Sequence, residues 1–388
     1  MVSSVPGRGA SLVDRLRMHG DNRLQIGLFG VNCSSGRSAT LVSERWSGSW
    51  PDCLRLARMA DECGIDFMLP IARWKGYGGA TDFHGTTLET ITWAAGLLAS
   101  TARITVFGTV HAPLFNPVIA AKELVTADHI GAGRLGLNLV VGWNEDEFEM
   151  FGVDQRDHQA RYTFAQEWLD VVKRAWSDEG TFDFAGSFLS LKGVRAHPKP
   201  YGGTRPILMN AGSSPTGRAF ALRNCDAFFT ATASSRTSLD GNATKVREIK
   251  EEAHRYGREI AIYTVGQVVC RPTQQEAEDY YRHAIIDNAD WDAVEAMMAL
   301  RNITPQNYSP EEYAGRRTYF AGNAIGGYPF VGTPDRVAGE LARLSEAGMR
   351  GIAVSFVNFL DEVPYFAAEV LPRLARLGVR ARCGNGML

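Results

Sequence analysis

Short apolar runs rich in β-branched and aromatic residues alternate along this chain with longer segments of helical period, and that rhythm restricts the fold more than any other feature. Strands separated by helices run parallel, because a parallel pair needs a crossover long enough to carry one. The strand-like runs are 24–30, 65–69, 104–109, 135–140, 207–210, 227–230, 260–269 and 352–356. Helical segments fall between them, near 49–63, 87–100, 117–130, 161–176 and 239–256. Gly64 supplies a helix stop, Pro117 a first-turn position, and Thr333-Pro334 a cap and opening for a helix that Gly348 ends. Pro364 is expected in the first turn of a last helix reaching about Leu377. Eight strands with their helices predict an α/β fold of the (β/α)8 TIM-barrel type.

The predicted organisation is a flexible leader over 1–21, a single barrel domain over 22–378 and a tail over 379–388. Residues 182–194 read as a β-hairpin. The stretch of about 273–331 after strand seven reads as an insertion with helical pieces at 274–285 and 290–300. It ends in the Gly-rich segment 322–327, a candidate lid.

Composition narrows the partners. The chain has 388 residues, 45% hydrophobic and 22% charged, with a formal net charge of −2. Nothing there favours nucleic acid or an anionic membrane, so the expected partner is a small molecule. The six cysteines are scattered without a CxxC, a pattern of reduced thiols rather than of disulfides or zinc. The N-terminal stretch lacks a signal peptide's apolar core, no run reaches membrane-spanning length, and the cytoplasm is the expected compartment.

In such barrels chemistry sits at the C-terminal ends of the strands, which directs attention to 32–33, 70–75, 109–111, 138–144, 211–214 and 356–358. Asn138 interrupts an apolar strand and reads either as a tie between strands or as a site residue, its place near the strand end favouring the second. Thr109 and His111 share one face of the preceding strand and can line the mouth, although a lone histidine there also suits a rim position. Arg73 and Lys75 suit an anionic ligand or a solvated loop equally well. The turn Gly212-Ser213-Ser214 before Pro215 offers backbone N–H groups and a hydroxyl to a phosphate, and Arg161-Tyr162 can add to it. Dinucleotide, Walker, zincin and nucleophile-elbow motifs are missing. The acidic run 145–149 has no interleaved histidine and reads as a solvated helix face rather than a metal site.

The chain resembles the bacterial luciferase-like flavin-dependent monooxygenases, most of all the branch with pyrimidine and dimethyl sulfone monooxygenases. The likeness rests on 66–69 with 74–79, the strand ending in Thr109, Ala127-Asp128-His129-Ile130 with Gly133-Arg134, and Asn138 to Trp143. Arg161-Tyr162, 211–214 and Gly332-Thr333-Pro334 complete it. It implies an oxidoreductase using reduced FMN from a separate NAD(P)H:flavin reductase, together with O2, in a homodimer or homotetramer. By the same resemblance Ala72, Arg73, Asn138, Glu147, Arg161, Tyr162 and Ser214 contact FMN, and Gly212 and Ser213 belong to the phosphate turn. Thr109 and Asn138 would hold dioxygen beside the flavin, favouring attachment at its N5 nitrogen, with His111 and Arg73 as further catalytic candidates. Arg73 stands where the pyrimidine enzyme has lysine, and His111, Pro113 and the loop 32–36 also depart, so the substrate can differ. The implied reaction oxidises or cleaves a carbon–heteroatom bond in an amide- or pyrimidine-like, or sulfone- or sulfonate-like, molecule. A deazaflavin-dependent dehydrogenase and a non-catalytic flavin-binding subunit are the competing readings.

Overall fold

The strand Leu135-Gly136-Leu137-Asn138-Leu139 shows how alternation divides this protein into two cores. Its leucines join the apolar layer between strands and helices, while Gly136 and Asn138 face the other way. The computed structural model describes residues 11–232, 238–322 and 327–381.

In chain order the elements begin with α1 (Leu12–Leu16), β1 (Gln25–Phe29), α2 (Trp50–Cys63), β2 (Phe67–Leu69), α3 (Thr90–Leu98) and β3 (Thr105–His111). They continue with α4 (Pro117–Ile130), β4 (Leu135–Val140), α5 (Glu145–Met150), α6 (His158–Ser177), the hairpin β5 (Phe182–Ala185) and β6 (Ser190–Val194), and β7 (Ile207–Asn210). Next come α7 (Pro215–Asn224), β8 (Ala227–Phe229), α8 (Asn242–Arg255), β9 (Ala261–Cys270), α9 (Gln274–Tyr281), α10 (Trp291–Ala299) and α11 (Pro310–Gly322). Last are β10 (Tyr328–Gly332), α12 (Pro334–Glu346), β11 (Gly351–Ser355) and α13 (Phe359–Arg376). Strands β1, β2, β3, β4, β7, β8, β9 and β11 pair in parallel, and the β8–β9 pairing closes them into the expected (β/α)8 barrel.

Local chemistry starts the helices where the barrel needs them. Asn116, Ser214 and Thr333 each cap a helix with a side-chain oxygen accepting from the first turn, and each is followed by proline. Gly64 ends α2 with φ of 78°, a conformation glycine adopts without a Cβ penalty.

Inside the barrel, large rings lie against missing side chains. Phe67, Phe107 and Tyr263 belong to the interior cluster with Phe29, Met209, Phe229 and Ala353. A Cβ on Gly27 would sit 2.3 Å from the Phe67 ring, one on Gly136 2.4 Å from Phe107, and one on Gly351 2.7 Å from Tyr263. The barrel is therefore a filled core, and open space for a ligand is displaced to its ends.

Several expectations need correction. From Leu12 onward the expected leader is structured: Arg15 in α1 is buried and pairs with buried Asp128 at 2.7 Å, also donating to the Tyr201 carbonyl at 2.9 Å. Leu16 and Met18 pack on the interior cluster, so this helix covers the N-terminal end of the barrel. The start of the expected tail is also packed, with Arg380 bonded to the Gly64 carbonyl at 2.6 Å and paired with Asp66. Pro364 lies inside α13, which starts at Phe359 because Asn358 caps it. The stretch 273–331 contains an unforeseen helix, α11, and an unforeseen strand, β10, which pairs with the C-terminal half of β9 outside the barrel. Of the proposed lid segment, 323–326 lie outside the described residues.

Because the Phe107 ring occupies the space a side chain at 136 would take, Gly136→Ala is expected to destabilise the fold by about 1–3 kcal/mol in urea unfolding. Adding Phe107→Leu to that variant should recover part of the loss.

Candidate functional site

Thr109 and Asn138 are register partners on adjacent strands, facing the barrel interior near its C-terminal end. They are 5% and 7% exposed. Asn138 Nδ2 donates to Thr109 Oγ1 at 3.2 Å, and Thr109 Oγ1 donates to the Pro70 carbonyl at 2.8 Å. The threonine proton is thus engaged with the backbone, and any donation from it to a ligand requires the hydroxyl to turn. Asn138 keeps its second N–H, and its Oδ1 is buried without a protein partner.

Arg73 and Glu147 lie beside this pair. Sequence pattern placed 145–149 on a solvated face, but Glu147 is only 2% exposed. Its Oε1 accepts from Arg73 Nη1 at 2.9 Å and from the Trp74 backbone at 2.9 Å, tying the loop after β2 to α5. Helix geometry sends Glu145 and Glu149 outward and Glu147 inward, a distinction the acidic run hides. Lys75 does not join the site; it pairs with Asp146 at 2.6 Å on the surface.

His111 completes this half of the mouth. It is buried, its Nδ1 has no partner, and burial pushes its pKa down to about 4, with Glu147 opposing and Arg73 reinforcing the shift. It is therefore neutral at ordinary pH.

A second group gathers after β4 and β7. Arg161 Nη1 donates to the Gly142 carbonyl at 2.8 Å. Ser214 Oγ accepts from Gly217 N at 3.1 Å at the start of α7, lies 3.0 Å from His158 Nε2, and is bonded to the Tyr162 hydroxyl. That hydroxyl nestles against Gly212 and Gly217, where added Cβ atoms would lie 2.9 Å and 2.3 Å from it. A serine, a tyrosine, an arginine, a histidine and a helix N-terminus thus converge on one spot suited to a phosphate. Ser213 is exposed at this turn, and Ala72 lies half-buried beside Arg73. With the unsatisfied Asn138 Oδ1, Asn144 Oδ1 and His111 Nδ1 further in, the residues fit a ligand with an anionic tail and a polar ring.

Asn32 and Cys33 are structural. Asn32 bonds the backbone of Ile71 and Leu88, and the Cys33 thiol is buried and pushed up to about 12, far from a reactive thiolate. Sequence reasoning missed His158, which stands one helical turn before Tyr162 on α6, a spacing that could have revealed it.

The pattern defining the luciferase-like monooxygenases matches residues 28–351, and the chain belongs to that family. It is 28% identical over 358 residues to the FMNH2-dependent dimethylsulfone monooxygenase of Pseudomonas fluorescens, covering 90% of this chain and 94% of that one. It is 27% identical over 352 residues to pyrimidine monooxygenase RutA of Acinetobacter baylyi, covering 89% and 94%. Among solved structures, a riboflavin lyase with modified FMN and riboflavin superposes with a TM-score of 0.82 at 22% identity, over 92% of both chains.

Two buried histidines make stability depend on pH. His84 and His111 are held down to about 3 and about 4, whereas an unfolded histidine titrates near about 6.5. The unfolded chain therefore takes up protons first, so stability is full above that pH and falls as pH drops below it, by up to about 1.4 kcal/mol per pH unit per histidine. Urea midpoints should decline from about pH 7 to about pH 5, and His111→Gln should flatten the decline.

Proposed function

We propose that the chain is the oxygenase of a two-component system, taking reduced FMN from a separate flavin reductase and using O2 to oxidise or cleave a carbon–heteroatom bond in a small organic molecule. The observation that carries this reading is the buried Thr109–Asn138 pair at the barrel mouth, with an amide oxygen and an amide N–H left over for a ligand. Bound reduced FMN supplies the electrons that activate dioxygen, which side chains cannot do. The protein's residues do the rest.

Arg161, Tyr162, Ser214 and His158 hold the phosphate, with Gly212 and Ser213 forming the turn around it. Arg73, fixed by Glu147, would supply a cation to the bound flavin, and Ala72 would contact it. Asn138 offers its spare N–H where negative charge develops on oxygen, a preorganised donor in a dry site. His111, neutral at working pH, leaves Nδ1 without a protein partner and can offer it to a ligand as a hydrogen-bonding group. Trp74 and Trp143 help exclude water, Trp74 packing edge-on to Phe151 at 5.0 Å. The activities named for the relatives support an amide- or pyrimidine-like, or sulfone- or sulfonate-like, substrate. No helix among the described residues is long and apolar enough to cross a membrane; we place the enzyme in the cytoplasm as a homodimer or homotetramer.

Anaerobic titration tests the cofactor: reduced FMN should bind at least about ten-fold more tightly than reduced riboflavin, with the gap narrowed in Arg161→Ala/Ser214→Ala. With air and a metabolite extract, wild type should give an oxygen-dependent mass change, while Asn138→Ala should still oxidise the flavin but release hydrogen peroxide. Binding of reduced deazaflavin alone, or unchanged coupling in Asn138→Ala, would overturn the proposal.

A further inference from the structure

Arg73, which the proposed function sets beside the flavin, does not stand alone. Its guanidinium lies 5.0 Å from the Tyr77 ring centre and 5.4 Å from that of Trp143. Arg301, just past the C-terminus of α10, uses the same two residues. It lies 4.5 Å from the Trp143 ring centre and bonds the Tyr77 hydroxyl. The loops after β2 and β4 and the insertion after β9 thus meet in one cluster, where two guanidiniums share two rings. The Phe320 ring at 5.7 Å and the Met297 carbonyl, which accepts at 2.8 Å, complete the surroundings of Arg301.

Holding the insertion against the barrel does not require this second cation. Asp290, 3% exposed, caps α10 and accepts from the Thr81 backbone N–H and hydroxyl, both at 2.7 Å. The turn at Gly79, with φ of 74°, lies flat on the same helix: a Cβ there would sit 2.5 Å from Asp290 Oδ1 and 2.7 Å from Ala293 Cβ. Tyr77 and Phe83 pack with Met297 and Met298 in an apolar cluster of their own. Hydrogen bonds and apolar burial therefore already dock the loop after β2 along α10.

Docking leaves the charge of Arg301 unexplained, and that charge is costly. Burial pushes its pKa down, Tyr77 opposes the shift and the neighbouring charge of Arg73 adds to it. Among the described residues the cluster is bonded to one carboxylate, Glu147, which is committed to Arg73 and the Trp74 backbone. Two cations against one carboxylate leave one positive charge in excess, held by rings that tolerate a cation without neutralising it. Arg73 also keeps a buried Nε–H with no protein partner. An anion arriving beside Arg73 would take that donor and offset the repulsion between the two guanidiniums.

Under the proposed function, on which this inference rests, the group beside Arg73 is flavin. Its oxidised ring is neutral, whereas the reduced ring readily loses a proton and carries negative charge along one edge, which a nearby cation stabilises. We infer that Arg301 is a positioning residue of the flavin site: it fixes Arg73 through Tyr77 and Trp143 and supplies the excess positive charge by which the site prefers reduced, anionic FMN to the oxidised ring.

Both redox forms carry the same phosphate, so the ratio of their affinities cancels the phosphate seat and reports on the ring. Reduced FMN, titrated anaerobically, and oxidised FMN are compared by flavin absorbance. Wild type should favour the reduced form by at least about ten-fold. Arg301→Gln should narrow that ratio at least about five-fold, mainly by weakening the reduced form. Arg301→Lys keeps the charge and should hold the ratio within about two-fold of wild type. Tyr77→Phe, which cuts the tie to Arg301 but keeps the ring beside Arg73, should narrow it at least about two-fold. Thr81→Val removes a docking hydrogen bond without touching the charge and should leave the ratio unchanged. A ratio unmoved in Arg301→Gln overturns the inference, as does one unmoved in Tyr77→Phe should the first variant not fold. An equal loss in Arg301→Lys or Thr81→Val overturns it too, because docking rather than charge would then be at work. Wild type that binds both forms without preference overturns the inference alone; wild type that binds neither form overturns the cofactor reading with it.

Discussion

Closure of the sheet through the β8–β9 pairing is the constraint on which the rest of the molecule depends. Once closed, the barrel must fill its own interior, and it does so by setting Phe67, Phe107 and Tyr263 against Gly27, Gly136 and Gly351. No room is left there for a ligand. At the N-terminal end α1 lies over the opening, anchored by the buried Arg15–Asp128 pair. Polar side chains on the inner face therefore become available to a ligand only at the C-terminal ends of the strands, where Thr109, His111, Asn138, Ser355 and Gln267 are found.

The same geometry explains why this mouth carries so much unsatisfied polarity. A folded interior normally pairs its buried donors and acceptors, since an orphaned one forfeits its hydration. Asn138 Oδ1 and His111 Nδ1 break that rule, and both lie near the C-terminal ends of their strands. By contrast, Asn32 and Asn210 are equally polar and equally buried but are occupied by backbone groups of Ile71, Leu88, Leu139 and Gly212. They hold the loops in place. The difference separates residues that build the site from those that face into it.

Arg73 shows how charge is managed. One carboxylate, Glu147, neutralises it and also collects the Trp74 backbone, so a single buried group fixes both the cation and the loop that carries it. Arg301 is handled with rings instead, lying over Trp143 and Phe320, an arrangement that tolerates a cation without cancelling its field. Trp143 is shared, with Arg73 at 5.4 Å from its ring as well, and so joins the barrel loop to the insertion.

Much of this was legible in the amino-acid sequence. Periodicity and stop signals determined the eight barrel strands, the hairpin and most helices, because local hydrophobic pattern and capping chemistry act over a few residues. Asn138 was conspicuous because an amide in an apolar strand needs a reason. Other features depended on contacts between distant segments and left no local trace. The inward turn of Glu147 depends on Arg73, the order of α1 on Asp128, and the strand character of β10 on pairing with β9. The meeting of His158 and Tyr162 with Ser214 joins two segments far apart in the chain. Sequence pattern decides which face of an element is apolar; only the closed barrel decides which polar groups meet at its mouth, because that is set by strand order and register rather than by spacing along the chain.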